Sequence, residues 1–446
     1  MPKHEGSMAA EPAGPPIELQ PQDHVRSDDL EEGSAQHANT TSAIQPLVVR
    51  DVTALKPVSA ILCFLNCGVN DGSLGALIPY ILRHYTISTA WMAIPYGVAV
   101  VGWLLAAMVG GYIRISIGTG GIIVAGALLQ LLAQLLRFWE PPFGLLSFTF
   151  FVVALGQALQ EPQANTFVTS LKSTHRWLGV IHGCYAVGGL IGPLIASAIA
   201  SNMQGQWAAF YYVPTGIGVV NLALCSYAFR DEVAIRRSHG PSANTRRSRT
   251  ALVELKATIK QKNVWLLSIF SFLYLGAAIT AGGWVVEFLV EVREGRLSQV
   301  GYIAAAFMGG TAADRFLLAE PAHRFGEKRM GIVCAVLSIV FQVIFWQVPN
   351  IVVNAVAVSF LGFLLGPFFA TAVSVGSKVI PQELQQSGLA FMFLVAQAGG
   401  ATFPAITGII SARNGVGTLQ PVLVGLLAAM TVAWLVVPNP RGKSLL

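Results

Sequence analysis

The chain has 446 residues, 54% of them hydrophobic and 11% charged, and a formal net charge of +6. Soluble proteins carry about 25% charged residues, so this composition and a mean hydropathy of +0.61 exclude a water-soluble globular domain. Apolar runs of about 20 residues recur, each able to cross roughly 30 Å of hydrocarbon, which leaves a polytopic membrane protein.

Residues 1–55 differ from the rest. They are rich in Pro, Gln and Ser, carry the acidic run SDDLEEGS at 27–34 and hold no long apolar stretch. They read as a disordered tail, not a signal peptide. Asn39-Thr40-Thr41 is a glycosylation sequon, which a cytoplasmic tail would keep away from the enzyme.

Twelve spans follow. Six run at 57–82, 89–110, 119–137, 143–171, 177–200 and 207–228; six more run at 264–290, 298–318, 331–348, 351–375, 387–410 and 419–437. The expected architecture is an all-α membrane protein: tail (1–55), six-helix bundle (56–228), basic linker (229–263), second six-helix bundle (264–437) and tail (438–446). With the N-terminus inside, the cytoplasmic loops and C-terminal tail hold 18 Lys and Arg, against five outside: Arg83, Arg137, Arg293, Arg296 and Arg413. The positive-inside rule then puts both termini in the cytoplasm. The linker, with RRSHGPSANTRRSR at 236–249, has nine basic and three acidic residues. It reads as a solvated segment near anionic lipid, not a nucleic-acid site. Cys63, Cys67, Cys184, Cys225 and Cys334 all fall in apolar spans without CxxC pairs or nearby histidines. They read as small core residues, and no metal or cofactor is expected.

Polar residues inside the spans carry the functional signal. In the first span, NCGVNDGSLG holds Asp71 among three glycines, with Asn66, Asn70 and Ser73 forming a polar face. A helix weakened there would break in mid-membrane and expose backbone groups to a cavity or ligand. The fourth span contains LGQALQEPQANTFVTS (155–170), in which Gln157, Glu161 and Asn165 are spaced i, i+4, i+8 on one face. A charged side chain at mid-bilayer costs about 2.5–3.5 kcal/mol on insertion scales, so Glu161 is expected to face a cavity. Removal from water disfavours the ionised form of a carboxylate, which suits a group that binds and releases protons. Pro162 removes a backbone donor and is expected to bend the helix. In the fifth span, His182 and Tyr185 are three apart and face together. In the seventh, two glycines precede Trp284, which points it towards the cavity, while Glu287 lies near the outer end.

The two sets of six repeat one another. GGLIGPLI (188–195) matches GGATFPAI (399–406) at a shift of 211, and Gly156 and Lys172 match Gly362 and Lys378 at 206. The run Gly111–Gly118 matches Ala319–Gly326 at 208.

The segment AEPAHRFGEKR (319–329) resembles the GxxxDRxGRR signature of the major facilitator superfamily, with Arg324, Gly326 and Lys328 kept and His323 at the aspartate place. Parallel halves of six helices are also that superfamily's plan. The resemblance implies that Arg324, Gly326 and Lys328 clamp neighbouring helix ends and hold one conformation shut. In the first half Ile115, Ser116 and Thr119 replace the signature residues. GVNDGSLGALIP, LQEPQANTFVT and FLYLGAAITAGGW resemble the fucose-permease-like branch and its fungal relatives. That likeness implies proton carriage by Glu161 and Asp71 and solute contact by Asn165 and His182. Where relatives often carry a seventh-helix acid, this chain has Ala278. Gly179, Gly188, Gly192 and Pro193 resemble the antiporter motif of drug-exporting facilitators, with Ala196-Ser197 in place of its final glycines.

The expectation is a proton-coupled secondary transporter, monomeric, in a fungal plasma membrane. Asp71 and Glu161 would carry protons; Asn70, Gln157, Asn165, His182, Tyr185 and Trp284 would contact a small organic solute. The fifth-span motif favours export of a metabolite or toxic compound; the fourth-span match favours uptake of a sugar-like solute. No nucleophile or metal constellation suggests an enzyme. A transporter-derived sensor usually has a long structured tail, where this C-terminus, PNPRGKSLL, has nine residues.

Overall fold

The computed structural model describes residues 55–172, 174–203, 206–233, 256–318 and 325–439. The N-terminal tail, most of the linker, the last residues and Arg324 lie outside these, and so do the readings made of them.

Among the described residues twelve spans are present. They are α1 (Leu55–Tyr85), α2 and α3 (the arms 93–117 and 119–137 of one helix, Ala93–Arg137), α4 (Phe143–Thr169), α5 (Thr174–Asn202) and α6 (Tyr212–Ala228). The second half has α7 (Lys262–Glu291), α8 (Ile303–Leu317), α9 (Glu327–Gln347), α10 (Ile351–Leu365, continuing as Phe368–Val379), α11 (Gln385–Asn414) and α12 (Leu419–Val436). Ten helices are long and apolar enough to cross a membrane. The helix containing α2 and α3 folds back at Gly118 and supplies two spans, and α8, with 15 residues, is entered through the short turn Leu297–Val300.

The repeat is visible in the backbone. Gly118 and Gly326 occupy matching places, 208 residues apart, and both have positive φ (79° and 92°), which only glycine adopts without strain. A β-carbon on Gly102 would come within 2.6 Å of the Phe151 carbonyl, pressing α2 on α4; 208 residues on, one on Gly310 would come within 1.9 Å of the Ser359 carbonyl, pressing α8 on α10. Gly188 meets the Leu65 carbonyl of α1 in the same way that Gly399 meets the Phe272 carbonyl of α7, at 2.4 and 2.0 Å.

The first helix departs from expectation. It runs unbroken from Leu55 to Tyr85. Its glycines serve close approach instead: Gly68 and Gly72 lie against the α5 backbone at Tyr185 and Gly189, and Gly75 lies against Gly282 of α7. Small residues let membrane helices pack backbone to backbone, which replaces the missing hydrophobic drive between them. Pro162 likewise lies inside an uninterrupted α4.

Contacts between the bundles gather at the end where α1 and α7 finish. Thr89 Oγ1 donates to the Gly408 carbonyl at 2.8 Å, Arg83 and Glu291 approach to 3.8 Å, and β-carbons on Gly301 and Gly283 would strike Ser197 and Tyr96. Glu287, at the same end, is only 7% exposed, because α7 is packed there against the first bundle as well as its own.

Within the antiporter-like motif, Gly188 and Gly192 face α1 backbone at 2.4 and 2.5 Å, whereas nothing lies within 4 Å of a β-carbon on Gly179. Gly188→Ala should therefore lower stability by about 1–3 kcal/mol through overpacking against backbone that no rotamer can relieve. Gly179→Ala should leave it unchanged, with thermal unfolding of the purified chain as the measurement.

Candidate functional site

The site is built on α1, α4 and α5 of the first bundle. Asp71 lies at mid-span of α1, one turn before Gly75, so both occupy the face that meets α7. Tyr185 lies one turn before Gly189, whose β-carbon position is 3.4 Å from Met308 of α8. Asp71 and Tyr185 thus sit just beneath the closed seam, on faces that look across at the second bundle. Their side chains meet. Tyr185 Oη donates to Asp71 Oδ2, while Asn70 Nδ2 and Gln157 Nε2 donate to Asp71 Oδ1, each at 2.9 Å. Three donors on one carboxyl group suit the ionised, acceptor-only form.

Behind Asp71 the structure corrects the sequence reading of Arg137. It is not an outer-loop charge: the side chain is 1% exposed and points into the first bundle. Nε donates to Thr149 Oγ1 at 2.7 Å and Nη1 to Asn70 Oδ1 at 2.9 Å, and the guanidinium lies over the Phe150 and Tyr211 rings at 4.1 and 5.2 Å. Asn70 Oδ1 also accepts from Gln134 Nε2 at 2.9 Å. The Asn70 amide is therefore engaged on both sides, its oxygen by Arg137 and Gln134 and its nitrogen by Asp71.

Glu161 follows Gln157 by one turn on α4. The Cys67 thiol of α1 lies beside it, and Asp71 lies within electrostatic reach. The two acids are thus surrounded differently: Asp71 by three donors, Glu161 by a weak thiol. One further turn along, Asn165 presents an Oδ1 that finds no hydrogen-bond donor. The His182 ring packs edge-on against Phe64 at 5.1 Å, on the α1 side of the site.

Trp284 does not join these residues. It is 2% exposed, its indole N–H donates to the Pro404 carbonyl at 3.1 Å, and it packs on Gly408 within the second bundle. The glycines before it serve helix contacts to Gly75 and Tyr96, not an opening.

A second polar layer escaped the sequence reading. Gln130 Nε2 donates to Gln160 Oε1 at 2.7 Å and Gln130 Oε1 accepts from Asn66 Nδ2 at 3.3 Å; Gln160 in turn meets Asn221 and Cys225. These residues tie α1, α3, α4 and α6 together. The available signal was the pair Gln130 and Gln134, four apart in the otherwise apolar α3.

Where α12 ends, side chains from the start of α9 reach neighbouring helix ends. After Gly326, the Lys328 ammonium donates to the Trp434 and Val437 carbonyls that end α12. Glu327 pairs with Lys378 of α10 at 2.7 Å and accepts from Ser374. In the first half, Lys56 spans 2.8 Å to both Asp231 and Glu232, fastening the start of α1 to the turn after α6.

Comparison with known proteins agrees with this geometry. The chain is 26% identical over 412 residues to the Bypass of stop codon protein 6 of Saccharomyces cerevisiae (strain ATCC 204508 / S288c), covering 86% of this chain and 82% of that protein. Among solved structures, a point mutant of the nucleoside transporter NupG superposes with a TM-score of 0.70 at 14% identity, covering 86% of this chain and 99% of that one. The major facilitator transporter FucP in its outward conformation gives 0.59 at 16% identity, covering 86% and 98%. A bacterial homologue of the human lysosomal transporter Spinster, inward-facing and unoccupied, gives 0.61 at 15% identity, covering 86% and 94%. Residues 60–404 match the sequence profile of the Major Facilitator Superfamily, and the chain belongs to that family of membrane transporters.

Proposed function

We propose that the chain is a proton-coupled carrier that moves a small organic solute by alternating access between its two bundles. The observation that carries this reading is that α1 and α4 bring two carboxyl groups, Asp71 and Glu161, within electrostatic reach of one another beneath the seam. An acid kept in such a place at a cost of about 2.5–3.5 kcal/mol needs a use, and reversible protonation that biases one bundle against the other is the use that fits. Gln157, Asn165, His182 and Tyr185 supply hydrogen-bonding groups for the solute, and Asn70 positions Asp71.

Both termini face the cytoplasm. With Arg137 counted as interior, the basic residues stand at 18 inside against four outside, which sharpens the bias. The membrane is the plasma membrane and the carrier works as a monomer. Export is the preferred direction, supported by the Gly188-Gly192-Pro193 segment of α5, whose glycines set how closely α5 rides on α1. Uptake of a hydroxyl-bearing solute is the second reading, favoured by the unpaired Asn165 Oδ1. Solute profiles of cells lacking and overproducing the chain decide between them: retention that rises with overproduction means uptake, and depletion means export.

Coupling is tested with the solute that this comparison identifies. A carrier coupled to one proton concentrates its solute about tenfold per pH unit across the membrane. In vesicles, Glu161→Gln should lower that ratio to one while leaving solute exchange intact; an undiminished ratio would remove Glu161 from the mechanism.

Tyr185→Phe deletes one of three donors to Asp71 and should cost about 1 kcal/mol, a few-fold in transport rate. An unchanged rate would show that the Tyr185 hydroxyl is idle.

A further inference from the structure

Arg137 is a charged side chain sealed in the first bundle with two side-chain acceptors, Thr149 and Asn70, while its Nη2 lacks an acceptor in hydrogen-bond geometry. A buried charge without an opposing one is strongly unfavourable. The ionisable groups around Asp71 are Arg137 from α3, Glu161 from α4, Tyr185 from α5 and Cys67 from α1, with Tyr211 beside the guanidinium. On the same faces of α1 and α5, Gly75 meets Gly282 and Gly283, and Gly189 meets Met308, all of the second bundle. Between cation and acid stands the Asn70 amide, whose oxygen accepts from Arg137 and whose nitrogen donates to Asp71, each at 2.9 Å. An amide oriented this way passes the influence of the guanidinium on to the carboxylate.

The repeat gives independent support. In α9, 208 residues after Arg137, stands Phe345; in α7 the stretch corresponding to Asn70-Asp71 is Ala277-Ala278-Ile279. The second half has neither acid, amide nor cation at these places, so the three occur together or not at all.

We propose that Arg137 is a positioning residue: through Asn70 it supplies the counter-charge that keeps Asp71 a permanent carboxylate facing the solute path, leaving Glu161 as the group that exchanges the proton. Asp71 is then a fixed acceptor for a hydroxyl or amine of the solute. This rests on the carrier reading for the assignment of Glu161 and is independent of it for the Arg137–Asp71 pair.

The test needs no solute. Infrared pH titration of the purified full chain in lipid nanodiscs reads protonated carboxyl groups directly, with the proton as the probe. Relative to the unmodified chain, Arg137→Met should gain one protonated carboxyl signal at neutral pH, and Arg137→Met combined with Asp71→Asn should lose it again. Arg137→Lys, which keeps the charge, should gain none. Thermal unfolding gives a second readout: the double variant should unfold at a higher temperature than either single variant, because Asp71→Asn alone strands the guanidinium and Arg137→Met alone forces a buried carboxyl to take up a proton. This arm also decides the matter if Arg137→Met folds poorly. An Arg137→Met spectrum identical to that of the unmodified chain, a gained signal that survives Asp71→Asn, or a double variant no more stable than the singles would overturn the proposal. Failure of Glu161→Gln to affect coupling would overturn only the proton-carrier assignment.

Discussion

Hydrocarbon offers no hydrogen bonds, so every polar group within the spans must find its partner inside the protein or in a cavity that water and solute can reach. The first bundle answers this constraint in large part with two chains of side chains, although Asn66 Oδ1, Gln134 Oε1 and Arg137 Nη2 stay unpaired. One runs through Asn66, Gln130, Gln160 and Asn221 and binds the helices to one another. The other runs from Arg137 through Asn70 to Asp71 and ends at the face that meets the second bundle. The first lies wholly within the bundle and links α1, α3, α4 and α6. The second ends on a carboxylate exposed between the bundles, where a ligand can complete it.

The two halves share backbone and differ in chemistry. Matching glycines permit the same helix pairs to touch at the same places, and matching turns at Gly118 and Gly326 reverse the chain in the same way. Yet the acid, the amide and the arginine belong to the first half, and apolar residues take their places in the second. The second bundle contributes a wall, a seam and the fastening of α9, α10 and α12 by Glu327 and Lys328. The polar chemistry at the facing surfaces is thus gathered on one side of the molecule, on α1, α4 and α5.

The spans, the repeat and the two acids were readable in the sequence because each depends on a local contrast, a charge or a glycine pair against an apolar run. Arg137 was not, since a charge at the end of an apolar run looks like a loop charge until the direction of its side chain is known. Gln130 and Gln134 carry no charge and so stood out less than Glu161, although they are buried more deeply. The glycines of α1 were read as weak points of the helix. Glycine also shortens the distance between helices, and sequence alone does not tell which property a site uses. Trp284 was drawn towards the cavity by the same ambiguity in the glycines that precede it.

Where α1 crosses α7, Gly75 faces Gly282 with no side chain between them. Two bare main chains at a crossing behave as a smooth bearing: there are no knobs to withdraw from holes when the bodies part. Opening at this crossing therefore gives up contact area without first unlocking interdigitated side chains, and the outer seal can be both tight at rest and quick to release.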